Sequence, residues 1–200
     1  MSDVWHHNTH YHQVLLGLLP PRRSTALDVG AGDGRFAALL ARRYTDVLAL
    51  DPDPAQVLAA TEHCQAFPDV IVRQDSFLQS DLPDEHFDIV TALASFHHMP
   101  FAEAASEAVR VLKPGGRLIV LGVWTDTSTP GDVVLNAASS VLHHVLVRRR
   151  GRDAMTAPAT VQRTSWRDVR QQATAHLPGS QLRRRLLWRY TVVWDKPPDM

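Results

Sequence analysis

Short apolar runs alternate, over the first two thirds of the chain, with stretches in which apolar residues return every three or four positions. The runs are Ala26–Val29, Val47–Leu50, Val70–Arg73, Phe87–Ala92 and Arg117–Val123, mostly Val, Ile and Leu with little polar alternation. A strand covered on both faces reads this way, because neither side meets water. Between the runs, Phe36, Leu39 and Leu40 keep helical spacing. Pro54 to Ala60 fits a helix that opens on proline, whose missing N–H is harmless in a first turn. Phe101, Ala105, Ala108, Val109 and Leu112 recur at i, i+4, i+7, i+8 and i+11, and "KPGG" is expected to stop that helix. Such alternation predicts an α/β fold with a doubly wound sheet. Ligands of these sheets gather at the carboxyl ends of the strands, where the strand order reverses.

After Val123 the rhythm changes. "TDTSTPGD" reads as a loop, and Val134, Ala138, Val141, Leu142 and Val145 then trace one apolar face of a helix over 133–147. That face suits core packing, a dimer contact or substrate contact. "RRRGRDAMTAPAT" is a second loop, in which the arginines suit either solvent or an anion such as RNA. Ser165 and Asp168 resemble a capping box ahead of a helix through Trp166, Val169 and Ala173, closed by Pro178 and Gly179. The tail "LRRRLLWRYTVVW" carries the β-branched and aromatic residues of a closing pair of strands.

Composition narrows the class. Two hundred residues with 44% apolar and 21% charged content can bury a real core in one domain. A net charge of zero gives no global field to recruit nucleic acid or an acidic membrane, so neither is expected as a partner. Cys64 is the sole cysteine, which leaves no intrachain disulfide and points to a reducing, cytoplasmic setting. "VLLGLLP" is too short to span a bilayer and lacks the flanks of a signal peptide.

The chemistry concentrates in "LDVGAGDGRF", where Gly30, Gly32 and Gly34 separate a strand from a helix. A dinucleotide fingerprint would place its third glycine at Arg35, so the spacing argues against a nicotinamide or flavin dinucleotide. "ALDPDP" puts Asp51 at the next strand end, where a carboxylate can accept from two ribose hydroxyls. "RQDS" brings Asp75 and Ser76 to the same edge, within reach of an adenine amino group. The fourth strand ends in small residues followed by Ser95, Phe96, His97 and His98.

From Ala26 to Val123 these motifs, in this order, resemble the class I S-adenosylmethionine-dependent methyltransferases. "LDVGAGDG" resembles the glycine-rich motif, "ALDPDP" the ribose motif, "QDS" the adenine-side motif, and "FDIV" with "LKPGGRLIV" the later strands. The resemblance implies a Rossmann-like, mostly parallel seven-stranded sheet with an antiparallel last strand, which the tail would supply. It implies a single domain: a cap helix over 1–20, a cofactor core over 26–123, a lid or insert over 124–160, and a closing helix and strands over 161–200. The implied cofactor is S-adenosylmethionine (SAM) and the product S-adenosylhomocysteine (SAH). Gly30, Ala31 and Gly32 would seat the methionine half. Asp28 would orient the loop or meet the ammonium through water. Asp51 with Pro52 would hold the ribose and Asp75 with Ser76 the adenine, with Ala92 among the lining positions. Tyr11, with Trp5 and His12, would fold over the site and exclude water.

His97 and His98 are the candidate catalytic residues. Either can take a proton from an acceptor hydroxyl or amine, or simply wall the pocket. His6 and His10 have the i, i+4 spacing of a zinc pair, but the segment reads as a partly exposed amphipathic helix, so no metal is expected. The function expected is methyl transfer to a nucleophilic atom of a small molecule by in-line displacement, in a monomer or homodimer. The rival readings are a SAM-binding protein without transfer, an RNA or protein methyltransferase, and a nicotinamide-dependent reductase.

Overall fold

Five parallel strands form the centre of the sheet in a computed structural model that describes residues 7–21, 24–124, 129–150 and 165–198. They are β1 (Thr25–Val29), β2 (Asp46–Asp51), β3 (Val70–Gln74), β4 (Phe87–Leu93) and β5 (Leu112–Val123). β6 (Gln181–Arg185) and β7 (Arg189–Asp195) complete a seven-stranded sheet of order β3-β2-β1-β4-β5-β7-β6. β7 runs antiparallel to both β5 and β6. The order reverses between β1 and β4, so the carboxyl ends of those strands open the crevice where ligands of such sheets bind.

The helices are α1 (His12–Leu16), α2 (Arg35–Leu40), α3 (Pro54–Cys64), α4 (Phe101–Val111), α5 (Pro130–Arg150) and α6 (Trp166–His176). α3 opens under a cap from Asp53, which accepts from Ala55 N–H at 2.8 Å, and runs past the expected Ala60 to Cys64. Ser165 caps α6 by accepting from Asp168 N–H at 3.0 Å.

Two expectations change. "KPGG" does not end α4. The helix stops at Val111, where Leu112 turns extended and begins β5. The buried Lys196 ammonium takes the carbonyls of Val109 and Leu112, a side-chain cap contributed from beyond β7. Gly115, at φ +77°, then lets the strand bulge, with its N–H on Lys196 carbonyl at 2.9 Å.

The apolar face read on the inserted helix is the second change. Of that face Val134, Ala138, Val141 and Val145 are exposed and only Leu142 packs inward, joining Leu135, Ser139 and Leu146 in the stripe that α5 buries. Polar contacts set that rotation. Ser139 Oγ accepts Leu187 N–H at 3.0 Å, Asp132 pairs with Arg184, and Asn136 accepts from Trp188 Nε1 at 2.9 Å.

The sheet separates two apolar layers. Phe87, Val90, Ala108, Trp124, Tyr190 and Trp194 pack on the α4–α6 side, and Leu15, Phe36, Leu40, Ile89, Ile119 and Leu121 on the α1–α2 side. Each Val, Leu, Ile or Phe side chain among them stabilises the fold by about 1.5–3 kcal/mol relative to exposure. Gly122 is bare because the Tyr190 ring on β7 fills the space of its missing side chain.

At the opposite, amino edge of the sheet, Asp88 accepts from Ser24 and Thr25 N–H and pairs with Lys113. Burial opposes its ionisation, but those backbone donors and the lysine hold the carboxyl below its usual range. The chain's two lysines, Lys113 and Lys196, are thus both structural.

Candidate functional site

The loop after β1 turns on three glycines in the left-handed region, at φ +63°, +57° and +76° for Gly30, Gly32 and Gly34. They serve different ends. A side chain on Gly30 would overlap Ser95, and one on Gly34 would come 2.9 Å from Ala60 of α3. At Gly32 only Gln56 Oε1 lies within contact range, at 3.7 Å, so its bare face opens on free space. Ala31 N–H is held by Leu50 carbonyl at 2.9 Å, which ties the loop to β2.

Asp51 closes that connection. Its Oδ2 accepts from Gly32 N–H at 2.8 Å and its Oδ1 from Asp53 N–H at 2.9 Å, leaving one lone pair on each oxygen at the strand's carboxyl end. Pro52 beside it is exposed. Asp75 N–H bonds Asp51 carbonyl at 3.1 Å, and the Asp75 carboxylate accepts from Ser76 N–H at 2.8 Å and pairs with Arg73. Gly32, Asp51, Asp75 and Ser76 therefore come together at one edge.

Asp28 lies beneath them, 2% exposed, with Thr91 on the neighbouring strand donating to its Oδ1 at 2.7 Å. Among the described residues no cation pairs with it. Burial pushes its carboxyl up to about 7 against the Thr91 hydrogen bond, and the nearby Asp51 charge adds to the rise. Asp33 occupies the start of α2, paired with Arg35 at 2.8 Å. A pyrophosphate at this helix start would face carboxylates rather than free N–H groups.

Beyond β4, Ala94 takes a positive φ of 55°, Ser95 Oγ donates to Val29 carbonyl, and Phe96–His98 form a short 3-10 turn. His97 is half-buried with an Nδ1 that finds no partner among the described residues, whereas His98 is exposed. Burial first, then the neighbouring His98 and Arg189 charges, lower His97 to about 4, so it is neutral at physiological pH. Ala92 is not brought to the site. It is fully buried inside β4, because the chain reaches the edge only two to three residues later.

Tyr11 packs in the α1–α2 layer with its hydroxyl donating to Leu186 carbonyl at 2.8 Å, and His12 lies against Phe36. Trp5 and His6 fall outside the described residues. His7 Nε2 lies 3.1 Å from His143 Nδ1, and no group of three potential metal ligands forms among the described residues.

Sequence reading passes over Arg189. It opens β7 and pairs with Val123, the last residue of β5, which puts it on the same sheet edge as His97. Its only sequence signal is one arginine among four in a strand-like tail. Ser95 and Asp33 were equally silent, since their roles depend on contacts with Val29, Gly30 and α2.

A doubly wound sheet of this order, with an antiparallel β7 and a glycine loop at the reversal point, defines the class I methyltransferase fold. Solved structures agree. The YcgJ protein of Bacillus subtilis covers 88% of this chain and is itself 71% covered, with TM-score 0.67 and 22% identity. A SAM-dependent methyltransferase of Aquifex aeolicus covers 92% and is 88% covered, with TM-score 0.64 and 19% identity. A family model described as a methyltransferase domain matches residues 27–120. An uncharacterised methyltransferase of Mycobacterium tuberculosis is 32% identical over 98% of this chain and all of its own length. A 2-methyl-6-phytyl-1,4-hydroquinone methyltransferase of Synechocystis is 40% identical over 52% of this chain and 33% of its own. The chain belongs to the class I SAM-dependent methyltransferase family and is an enzyme of that family.

Proposed function

We propose that this enzyme methylates a small molecule, using SAM held over Gly32. The observation that carries this reading is the lining of the glycine loop, which offers open backbone and carboxylates and so suits a cationic, phosphate-free nucleoside. When bound, SAM supplies an activated methyl group, which the acceptor takes in line with the departing sulfur to leave SAH. Asp51 uses its two remaining lone pairs on the ribose hydroxyls, in charge-assisted bonds. Asp75 and Ser76 face the adenine. Asp28, ionised by a nearby cation, orients the loop and favours the methionine ammonium. Tyr11 remains a covering residue from the α1 side.

Of the two histidines, His97 is the one placed to meet the acceptor. It is neutral and half-buried, and its Nδ1, shut off from water and without a partner among the described residues, is the atom left to take the proton once an acceptor reaches it. His98, in ring contact with it at 4.1 Å, helps keep it neutral. A zero net charge supports a small acceptor over a nucleic acid, whose binding draws on many phosphate contacts. The name of the Synechocystis relative, a hydroquinone methyltransferase, is consistent with a small acceptor.

Calorimetric titration with SAH tests the site. Asp51→Ala removes the ribose acceptors and releases Gly32 N–H. With about 1.5–3 kcal/mol for each hydrogen bond to a charged group, losing one ribose bond is expected to weaken SAH at least about tenfold and losing both at least about a hundredfold. Unchanged affinity in a variant of unchanged melting temperature would remove the ribose assignment.

A further inference from the structure

The hairpin joining β6 to β7 turns through Leu186–Arg189, closed by Arg189 N–H on Leu186 carbonyl at 3.3 Å. Its two central residues, Leu187 and Trp188, both sit at φ +56°, where a two-residue hairpin turn ordinarily places Asn-Gly. Bulky side chains in that region cost on the order of 1–3 kcal/mol each and persist only where surrounding contacts over-determine them. Here three elements hold the turn. Tyr11 bonds Leu186 carbonyl, Ser139 of α5 accepts Leu187 N–H, and Asn136 of α5 accepts from the Trp188 indole. Trp124 N–H, just past β5, takes Trp188 carbonyl, and its indole takes Arg189 carbonyl at 2.9 Å.

What this strained turn delivers is Arg189. The guanidinium is 7% exposed and donates to neutral oxygens only: Nε and one Nη to Asn8 Oδ1 at 3.2 and 2.9 Å, and the other Nη to Leu187 carbonyl at 3.4 Å. No carboxylate pairs with it among the described residues. Its direct cross-strand partner on β6 is another arginine, Arg185. Like charges facing across a ladder destabilise it, and a buried charge with no countercharge costs more still. Three of the five guanidinium N–H groups are used, which leaves two, the number a carboxylate or phosphate takes in a fork.

We propose that Arg189 binds an anionic oxygen group, a carboxylate or phosphate, on the methyl acceptor, so that the acceptor is a small acid held beside His97. This inference rests on the reading of this sheet edge as the methyl-transfer site. It also links binding to proton transfer. Arg189 and His98 are the charged or titratable groups that depress His97, so an anion that neutralises Arg189 makes His97 a stronger base when the acceptor is in place.

The test is NMR of histidine-labelled protein saturated with SAH, titrated with benzoate, phenyl phosphate and the neutral isostere benzamide. Saturable movement of the His97 ring signals is expected with one or both anions, at least tenfold weaker with benzamide, together with an upward shift of the His97 titration midpoint. A response to benzoate alone identifies a carboxylate acceptor, and a response to phenyl phosphate alone a phosphate. Arg189→Gln is expected to abolish the response while SAH still binds, and Arg189→Lys, which keeps the charge without the fork, to weaken it. Asn8→Ala removes only a neutral partner and should retain it. The proposal is overturned if neither anion gives a saturable response, if benzamide matches them, or if Arg189→Gln responds like the unaltered protein. The wild-type comparison with benzamide decides the matter even where Arg189→Gln fails to fold. Failure of SAH itself to bind would instead remove the methyltransferase site, a separate outcome read in the same sample.

Discussion

Asp28 has one hydrogen-bond donor, Thr91, and no cation among the described residues, and burial lifts its carboxyl to about 7. Its pKa in an unfolded chain is about 3.9, so the folded state prefers the protonated form. The stability tied to that preference is fully present below about pH 4 and is lost as pH rises through about 7. A bound ammonium or sulfonium reverses the preference, so cofactor binding releases a proton and tightens with pH. Two readings of one variant check this. Between pH 5 and 8 the unliganded protein should lose melting temperature relative to Asp28→Asn, by on the order of 5 °C. Over the same range SAM affinity should rise in the unaltered protein and stay flat in Asp28→Asn. A parallel pH course in the two proteins would show that Asp28 stays ionised. None of this burial is visible in "LDVGAGDG", which marks Asp28 as important without saying that Thr91 stands opposite it.

Helices and strands were legible where their pattern was local. The parallel strands read from Val, Ile and Leu runs appear as β1 to β5, and the Ser165 cap opens α6 where the sequence places it. What went unread depends on distant partners. Lys196, past β7, takes the last carbonyls of α4, so the helix end and the bulged start of β5 could not be seen in "LKPGGRLIV". The rotation of α5 is the clearest case. Its best apolar stripe, Val134, Ala138, Val141, Leu142 and Val145, has the right period but packs only through Leu142, because Asp132, Asn136 and Ser139 must face Arg184, Trp188 and Leu187. A pair of substitutions separates the two faces. Val141→Ser, at 65% exposure, should change stability by less than about 0.5 kcal/mol. Leu142→Ala, partly buried in the α1–α2 layer, should cost about 1–2 kcal/mol, below the range of about 2–5 for full burial. Denaturant midpoints of the two variants decide it, and equal losses would mean that the helix packs through both stripes.

Across the whole molecule, a net charge of zero conceals a polarised edge. Asp28, Asp33, Asp51 and Asp75 crowd the ends of β1, β2 and β3, while Arg183, Arg184, Arg185 and Arg189 gather on the β6–β7 hairpin. The sequence lists both sets far apart, and only the order β3-β2-β1-β4-β5-β7-β6 turns them into two ends of one crevice. In the proposed function the acidic end is what selects the nucleoside. On the proposed reading, phosphates brought to Asp33 and Asp51 would meet repulsion, whereas the SAH ammonium would find carboxylates and its ribose Asp51. Ligand linkage turns that into a measurable difference. At a hundred times its dissociation constant a ligand stabilises the folded state by about 2.7 kcal/mol. For a domain of this size each kcal/mol moves the melting temperature about 2–4 °C, so SAH should raise it by about 5–10 °C. NADH at the same concentration should leave it unmoved, and Gly32→Val, which fills the open face of the loop, should abolish the SAH shift. A shift with NADH and none with SAH would mean that the glycine loop accepts pyrophosphate despite its carboxylates, and the assignment of the crevice to a sulfonium nucleoside would fall.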